Sequence, residues 1–358
     1  MALEDEINGF KMKADAELDI FFASKEEEGR KKNLPGEYFE SLENIRGLVR
    51  RGGKRLRPLL FYCGYIFSGG HHRKEAMKAS IALELLHAGF LIHDDIMDRD
   101  DIRRGGPSMH AKFRQDYSKR LRRDDLEDFG NAMAICAGDM VLAWSHEVLA
   151  RSDFSGPLKM KAMVGLSDII TETALGQMMD EAMQVDSDYS EDRIAGMHDY
   201  KTARYSVRGP LRLGAIMAGA DEEELEYIDS FSVPLGIAYQ MRDDVLGLFG
   251  DAEKTGKPVG SDIIRGKKTL LVSYALRNSS FSDEEFLMSC LGNEELSAKD
   301  LRAARDIVDK SGALMHSEDK ISEFACKAME NLRGGKKKFA AKYAPMEKFA
   351  DFLLKRQG

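Results

Sequence analysis

Residues Glu84–Gly106 read ELLHAGFLIHDDIMDRDDIRRGG and give the strongest structural signal in the chain. The first part is apolar with the three- and four-residue spacing of a helix, and the second crowds five aspartates into about two helical turns. Positions four apart share a helix face, so Asp94 and Asp98 point the same way, whereas Asp95 is rotated by about 100°. Carboxylates this close repel one another, and a bound cation would relieve the repulsion.

The same helical spacing recurs along the chain, with few alternating, strand-like runs. It is clearest in five segments: Glu75–Met97, Gly130–Leu149, Leu158–Met183, Ala218–Leu248 and Ile321–Leu332. We therefore predict an all-α protein. Pro210 and Pro234 fall inside helical patterns, and each is expected to end or kink its helix just upstream. No repeat, linker or low-complexity tract divides the 358 residues, so a single domain spanning residues 1–358 is predicted.

Composition excludes several classes of protein. The formal net charge of −8 runs against a nucleic-acid surface, and the four cysteines form no CxxC pair that would indicate zinc. No apolar run approaches the roughly 20 residues that span a bilayer, and the N-terminus lacks a basic leader with an apolar core. We predict a cytoplasmic protein with no nucleic-acid partner and no stable membrane insertion.

Oxygen ligands without a histidine or cysteine partner at ligand spacing suit magnesium, which binds a few carboxylates together with substrate phosphates. The glycine and closing glutamate of a calcium EF-hand are absent from DDIMDRDDIRRG. A weaker acidic set recurs in QMRDDVLGLFGD (Gln240–Asp251), where Asp243 and Asp244 end another apolar helix. If the two acidic ends face each other, magnesium between them would bind a phosphorylated ligand.

Basic residues complete this pattern. GGKRLRP (Gly52–Pro58) is a glycine turn into a helix start, which suits phosphate binding, although it is neither a P-loop nor a Rossmann motif. Further cations occur at Arg103, Arg104, Lys201, Lys257 and Lys267. His87 lies two turns before Asp94 on the same stripe, among apolar residues that would match a hydrocarbon tail on a diphosphate.

Together these motifs resemble the isoprenyl diphosphate synthases, or polyprenyl synthetases, from about Gly36 to the C-terminus. The resemblance is carried by GGKRLRP (Gly52–Pro58), ELLHAGFLIHDDIMD with RRG (Glu84–Gly105), GDMVLA (Gly138–Ala143), KTA (Lys201–Ala203), QMRDDVLGLFGD (Gln240–Asp251) and TGKPVGSDIIRGKKTL (Thr255–Leu270). It implies a helical bundle around a deep central cavity, usually a homodimer. The implied reaction is magnesium-dependent, head-to-tail condensation of isopentenyl diphosphate with an allylic diphosphate (dimethylallyl, geranyl or farnesyl).

The resemblance also implies roles for individual residues. The catalytic residues would be Asp94, Asp98, Lys201 and Asp243, and the magnesium ligands Asp94, Asp98, Asp243 and, as a secondary choice, Asp244. The allylic diphosphate would be held by Arg103, Lys201, Thr202, Gln240, Lys257 and Lys267. Isopentenyl diphosphate would be held by Lys54, Arg57, His87 and Arg104. Asp100 and Asp101 are expected to be solvated. The second acidic motif departs from DDxxD, since its last position is Gly247.

Product length in this family is tuned just before the first aspartate, where this chain has Gly89 and Phe90. Phe90 would stop the chain early if it points into the tunnel, whereas Gly89 leaves room if that face lines it. The predicted product is geranylgeranyl diphosphate, with farnesyl or a longer product as the alternative. A terpene cyclase needs no second diphosphate site, and a non-catalytic partner subunit often lacks part of these motifs, so both rival interpretations are disfavoured.

Overall fold

The structure, a computed structural model, describes residues 3–120, 122, 125–186, 189–250 and 260–354. The helices are α1 (Leu3–Lys31), α2 (Gly36–Arg50), α3 (Leu56–Phe67), α4 (Arg73–Met97), α5 (Met109–Tyr117), α6 (Leu126–Arg151), α7 (Gly156–Val185), α8 (Glu191–His198), a π-helix (Asp199–Arg208), α9 (Gly209–Ala218), α10 (Glu222–Phe249), α11 (Ser261–Ile264), α12 (Leu270–Asn278), α13 (Phe281–Cys290), α14 (Ala298–Lys310), α15 (Ala313–Gly334), α16 (Lys337–Tyr343) and α17 (Met346–Leu354). A short antiparallel hairpin, β1 (Ile102–Arg103) and β2 (Gly106–Pro107), follows α4. The all-α prediction is confirmed.

Four of the five predicted helical segments correspond to α4, α6, α7 and α15. The fifth prediction, a single helix over Ala218–Leu248, is wrong at its start, because α9 ends and α10 begins there. Gly219 has φ 85°, a left-handed conformation that ends α9, and Asp221 then caps α10 by accepting a hydrogen bond of 2.9 Å from the Glu224 N–H. Gly219 and Asp221 therefore divide the segment into two helices, although its apolar spacing is continuous.

Pro234 does not end its helix, because α10 continues through it, and the alternative expectation of a kink stays a prediction. A proline lacks the N–H that would bond the carbonyl four residues earlier, here that of Ser230. The side-chain amide of Asn331 on α15 donates a hydrogen bond of 2.6 Å to that carbonyl instead. Upstream of Pro210 the predicted irregularity takes the form of the π-helix, where the Gly209 N–H donates to the Arg204 carbonyl.

The chain divides into two compact units. The first comprises Met1–Val164 and Leu213–Gly219, and the second comprises Gly165–Arg212 and Ala220–Gly358. Within the first unit, a Cβ on Gly214 would lie 1.9 Å from the Phe61 carbonyl oxygen, so the last turns of α9 pack directly on the backbone of α3. The prediction of one domain over residues 1–358 stays a prediction.

Helix α4 lies in the core of the first unit. Leu83, Leu85, Leu86 and Ile92 are fully buried, which explains why this helix is apolar on more than one face. Because the apolar residues of α4 are packed in the core, the helix cannot shift along its axis. The positions of the acidic residues at its C-terminal end are therefore also set by this packing.

Helix α6 is the one helix among the described residues that is long and apolar enough to cross a membrane by length and composition. Only 39% of its apolar window is buried. The buried side carries Ala134, Val141 and Trp144, which belong to the same core cluster as α4 residues. The inward face of α6 is therefore that of a core helix.

Candidate active site

The basic turn GGKRLRP has an unusual backbone. Gly52, Gly53 and Arg55 have φ values of 113°, 112° and 52°, which glycine adopts at no steric cost and arginine rarely adopts. Lys54 is exposed and Arg57 is half-buried in the first turn of α3, whereas Arg55 is buried. Lys54 and Arg57, two of the residues predicted to bind isopentenyl diphosphate, therefore flank an arginine whose side chain is buried.

At the end of α4 the two predicted magnesium ligands are both half-buried, and Asp98 is the C-cap residue directly after the last helical residue, Met97. The Asp98 N–H donates to the Asp94 carbonyl over 2.8 Å, so the two residues are one helical turn apart as predicted. Asp95 points elsewhere and is fully buried, and burial raises its pKa to about 6 although the Arg103 guanidinium opposes the rise.

Arg103 and Arg104 lie on the hairpin after α4. Arg104 and Gly105 have φ values of 52° and 69°, as a two-residue hairpin turn requires. The chain reverses direction at this turn, which begins directly after Arg103. The side chains of the two adjacent arginines therefore lie in different surroundings.

The Arg103 guanidinium bonds Asp95 and lies 3.1 Å from an Asp100 oxygen, next to the predicted metal ligands. The expectation that Asp100 is solvated is therefore wrong, because the hairpin brings Arg103 back onto it. Arg104 instead donates a hydrogen bond of 2.8 Å to the Gly52 carbonyl in the basic turn. The two arginines are therefore held apart, and their assignment to different diphosphates stays a prediction.

His87 is half-buried among cationic groups. Burial lowers its pKa well below the ordinary histidine value, and the guanidinium groups of Arg57 and Arg104 lower it further. The ring is therefore neutral at pH 7 and can donate a hydrogen bond from one nitrogen. His87 thus lies near two other predicted isopentenyl diphosphate ligands, and its own role in binding that substrate stays a prediction.

Gly89 is buried against α6. A Cβ at this position would lie 2.7 Å from the Leu142 side chain and 3.4 Å from the Gly138 carbonyl oxygen, so the glycine allows the two helices to approach closely. Phe90 is half-buried. Any side chain at position 89 would therefore press on Leu142 first, which the sequence pattern did not indicate.

In the second unit Lys201 and Thr202 lie on the π-helix, which is held between two glycines. A Cβ on Gly176 of α7 would lie 2.2 Å from the Lys201 nitrogen, and one on Gly236 of α10 would lie 2.5 Å from the Ala203 Cα. These are backbone atoms that cannot move aside. The two glycines therefore fix the position of the Lys201–Ala203 backbone from both sides.

The Lys201 ammonium bonds Asp180 on α7, and the Lys267 ammonium lies 3.7 Å from the same carboxylate. Burial alone would raise the pKa of Asp180, but Lys201 and Lys267 outweigh it and the pKa is lowered. Two lysines predicted to bind the allylic diphosphate are thus gathered on one buried carboxylate.

A chain of hydrogen bonds links Thr202 to the end of α10. Thr202 Oγ1 donates to Gln240 Oε1 over 3.0 Å, and Gln240 Nε2 donates to Asp244 Oδ1 over 2.8 Å. The second Asp244 oxygen lies 3.1 Å from Nε2 of the buried His198. These contacts give Asp244 a role in orienting Gln240, whereas its role as a magnesium ligand stays a prediction.

Asp243 is half-buried next to Asp244, and the i+4 position of the motif is Gly247. A Cβ on Gly247 would lie 3.1 Å from Asp262 Oδ2, so the carboxylate of Asp262 on α11 occupies the space beside the glycine. The sequence missed this residue because it lies fifteen positions further along the chain. Lys257, predicted to bind the allylic diphosphate, lies outside the described residues.

These donors fit magnesium. Among the described residues no three His, Cys, Asp or Glu side chains are grouped to hold a metal ion by themselves. Asp94 and Asp98 supply two hard oxygen donors one turn apart, and magnesium ordinarily completes such a set with phosphate oxygens and water. A metal bound here would therefore depend on a phosphorylated ligand.

The residue patterns also missed Glu84 and Asp180, two buried carboxylates that bond the cations of the site. Glu84 is a lone acid in an otherwise apolar helical run, which is a signal that could have found it, since buried carboxylates are usually paired. Asp180 is followed directly by Glu181, so its sequence carries no such signal.

A family model described as polyprenyl synthetase matches residues 40–308. The chain belongs to the polyprenyl synthetase family. Among curated relatives, the geranylgeranyl diphosphate synthase of Saccharolobus solfataricus is 36% identical over 308 residues, which cover 85% of this chain and 87% of that protein. The geranylfarnesyl diphosphate synthase of Aeropyrum pernix is 33% identical over 289 residues, covering 80% of this chain and 84% of the relative.

A solved structure of this polyprenyl synthetase family, the geranylgeranyl pyrophosphate synthase of Corynebacterium glutamicum complexed with isoprenyl diphosphate and magnesium, is similar with a TM-score of 0.89. The two are 29% identical, and the match covers 97% of this chain and 98% of the other. The protein is thus a trans-prenyltransferase, as the motifs predicted.

Proposed function

We propose that this polyprenyl synthetase condenses isopentenyl diphosphate with an allylic diphosphate to give geranylgeranyl diphosphate, and that it uses Mg²⁺. The observation that carries the proposal is the separation of Arg103 and Arg104. One is held among the acidic residues at the end of α4, and the other is fastened to the basic turn. Two phosphate-binding environments next to each other in the chain suit an enzyme with two diphosphate substrates.

Asp94 and Asp98 in the first unit would hold magnesium, which when bound polarises the diphosphate oxygens and neutralises their charge. Asp243 in the second unit is proposed as a magnesium ligand as well. Lys201 and Lys267 would hold the allylic diphosphate and stabilise the charge that grows on it as the C–O bond breaks. The bonding electrons leave with pyrophosphate. The isopentenyl double bond then supplies the electrons of the new C–C bond, and a proton passes to the pyrophosphate to restore a double bond.

Lys54, Arg57, His87 and Arg104 would hold isopentenyl diphosphate, and no side chain forms a covalent bond to substrate. A neutral His87 beside these cations adds a hydrogen-bond donor without adding to their mutual repulsion. The role of this set is to place the double bond next to the reacting carbon, and correct placement of this kind accounts for a large part of enzymatic rate enhancement.

The protein would act in the cytoplasm as a homodimer. The outward face of α6 is exposed and mostly apolar, and carries Ala132, Ile135, Cys136, Asp139 and Ala143. Ile135 alone exposes 47% of its surface. An exposed apolar helix face with a single charge suits a second copy of the chain.

Product sizing tests the proposed activity. The purified enzyme is incubated with Mg²⁺, radiolabelled isopentenyl diphosphate and, in turn, dimethylallyl, geranyl or farnesyl diphosphate, and the products are sized. A dominant C20 product is expected from all three. A dominant product beyond C25 would contradict the proposed length, and cyclic hydrocarbon released from an allylic diphosphate alone would favour a terpene cyclase.

We further propose that Asp262 supplies the carboxylate that Gly247 lacks, and that it joins Asp243 in binding Mg²⁺. Asp262→Ala is then expected to raise the Mg²⁺ concentration for half-maximal rate by about tenfold or more. The double variant Asp262→Ala/Gly247→Asp moves the carboxylate to position 247, where the new side chain enters the space that Asp262 vacates. It is expected to need a Mg²⁺ concentration for half-maximal rate close to that of the wild type. Rate and thermal unfolding are both measured across a Mg²⁺ titration.

The matched control is Asp319→Ala, which removes an exposed aspartate of α15 and should leave the Mg²⁺ dependence unchanged. If Asp262→Ala has the wild-type Mg²⁺ dependence, Asp262 is not a metal ligand.

A further inference from the structure

Arg55 occupies the centre of the basic turn, yet its guanidinium is committed within the protein. Only 2% of the side chain is exposed. Its Nε donates to Asp15 over 2.7 Å, Nη1 donates to the Gly52 carbonyl over 3.0 Å, and Nη2 donates to the Val49 carbonyl over 2.8 Å. Nη1 also bonds the carboxylate of Glu84. Four of the five N–H donors of Arg55 are therefore used within the protein, and the side chain is almost wholly withdrawn from solvent.

Glu84 connects this arginine to the hairpin. The carboxylate lies in α4 with 4% of its side chain exposed, and one oxygen is 3.8 Å from Nη2 of Arg104. Arg104 and Arg55 also donate to the same Gly52 carbonyl. The basic turn, the hairpin and α4 thus meet at one buried carboxylate and one carbonyl oxygen.

Electrostatics explains why the arrangement holds. Burial alone would lower the pKa of Arg55, but Glu84 and Asp15 outweigh it and the pKa is raised. A buried guanidinium that is paired with carboxylates can stay buried. A buried guanidinium that has lost its carboxylate partner is destabilising, and the side chain would move toward solvent. Because Arg55 has a left-handed backbone, such a movement would alter the turn that carries Lys54 and Arg57.

We propose that Arg55 and Glu84 form a positioning pair that holds Lys54, Arg57 and Arg104 in the geometry that binds isopentenyl diphosphate. Neither residue contacts the substrate. The inference rests on the proposed function, since it assigns these three cations to isopentenyl diphosphate.

Two effects of removing the Glu84 charge oppose each other. Loss of a negative charge makes the site more positive and would tighten the binding of a diphosphate. Loss of the buried partner of Arg55 disorders the turn and would weaken binding. The second effect is larger, because Glu84 and Arg55 are both buried, whereas Lys54 is exposed and Arg57 and Arg104 are only half-buried, so solvent screens the charges of these three cations more.

The experiment compares Glu84→Gln, Arg55→Gln and the double variant. Each single change is expected to raise the KM for isopentenyl diphosphate by about tenfold or more, while kcat at saturation and the KM for the allylic diphosphate change less than about threefold. The double variant should be no worse than the worse single one, since both changes remove the same pair. Calorimetric titration with isopentenyl diphosphate alone should show the same loss of affinity.

Glu28→Gln is the matched control. It removes a carboxylate of α1 that bonds Lys25 and Lys32 in the same unit and should leave both KM values at the wild-type level. Should Glu84→Gln not fold, Arg55→Lys is used instead. It retains the charge but cannot make the four contacts, so the same rise in KM is expected.

An unchanged or lowered KM for isopentenyl diphosphate overturns the proposal, and so do additive effects in the double variant. Equal changes in both KM values, or a loss of thermal stability without a change in either, would assign the pair a purely structural role and also overturn it. A wild-type enzyme that binds isopentenyl diphosphate but forms no product would contradict the proposed function instead, and the calorimetric comparison would still decide the role of the pair.

Discussion

Asp94→Ala is expected to lower kcat for condensation by about a thousandfold or more. The residue contributes a hard oxygen donor at the end of α4, one turn from Asp98, and no group of three acidic or histidine side chains in the described ranges compensates for its loss. Without Asp94 the proposed magnesium site would lose one of its carboxylate ligands, and the charge on the departing pyrophosphate would depend more on the side-chain cations. Initial rates with saturating substrates, measured across a Mg²⁺ titration, test this expectation.

The fold should survive the change, because Asp94 is half-buried at a helix end and its loss leaves no cavity in the core. Thermal unfolding near the wild-type temperature would show this. The matched control is Asp101→Ala, three residues beyond Asp98, whose side chain is 61% exposed and pairs with Arg114. Asp101→Ala is expected to retain most of the activity. A wild-type rate in Asp94→Ala would remove the magnesium hypothesis for this helix end.

Gly236→Ala is the second change with a large expected effect. Its new methyl group would lie 2.5 Å from the Cα and 2.7 Å from the Cβ of Ala203, next to Thr202 and Lys201 on the π-helix. Backbone atoms so placed must shift, and a misplacement of about 1 Å in substrate-holding groups costs on the order of a hundredfold in rate. We expect kcat/KM for the allylic diphosphate to fall by about that factor.

The KM for isopentenyl diphosphate should change much less, because its predicted ligands belong to the first unit. Gly176→Ala, with a contact of 2.2 Å to the Lys201 nitrogen, should have the same selectivity. Gly196→Ala is the control, since its methyl group would meet only the end of Met179 at 3.7 Å. That variant should be active and stabilised by up to about 1 kcal/mol. Equal kinetics for Gly236→Ala and Gly196→Ala would contradict the expectation.

Much of the fold and site follows from local sequence. The apolar spacing of α4 and its terminal aspartates predicted both a helix and the shared face of Asp94 and Asp98, because both depend on helical periodicity. The glycine turn before α3 was equally clear, since its conformations are those that glycine favours.

What could not be predicted depends on contacts between distant segments. The surroundings of Asp100 depend on a hairpin that returns Arg103 to the acidic cluster. The space beside Gly247 is filled by Asp262, and the continuity of α10 through Pro234 depends on an amide donated by Asn331. The π-helix has no recognised sequence signature. For Gly247 and Pro234 the deciding partner comes from elsewhere in the chain, and for Asp100 it comes from a hairpin that follows the helix, so helical periodicity carries no information about either.

Asp15 supports the basic turn from outside the region that matches the family model. It lies on α1, before residue 40, where the match to the family model begins, yet it bonds the buried guanidinium of Arg55. A segment that the match to the family model does not include therefore contributes to the base of the proposed isopentenyl diphosphate site. Evolutionary divergence in this leading helix could alter substrate affinity among enzymes whose motifs are otherwise identical.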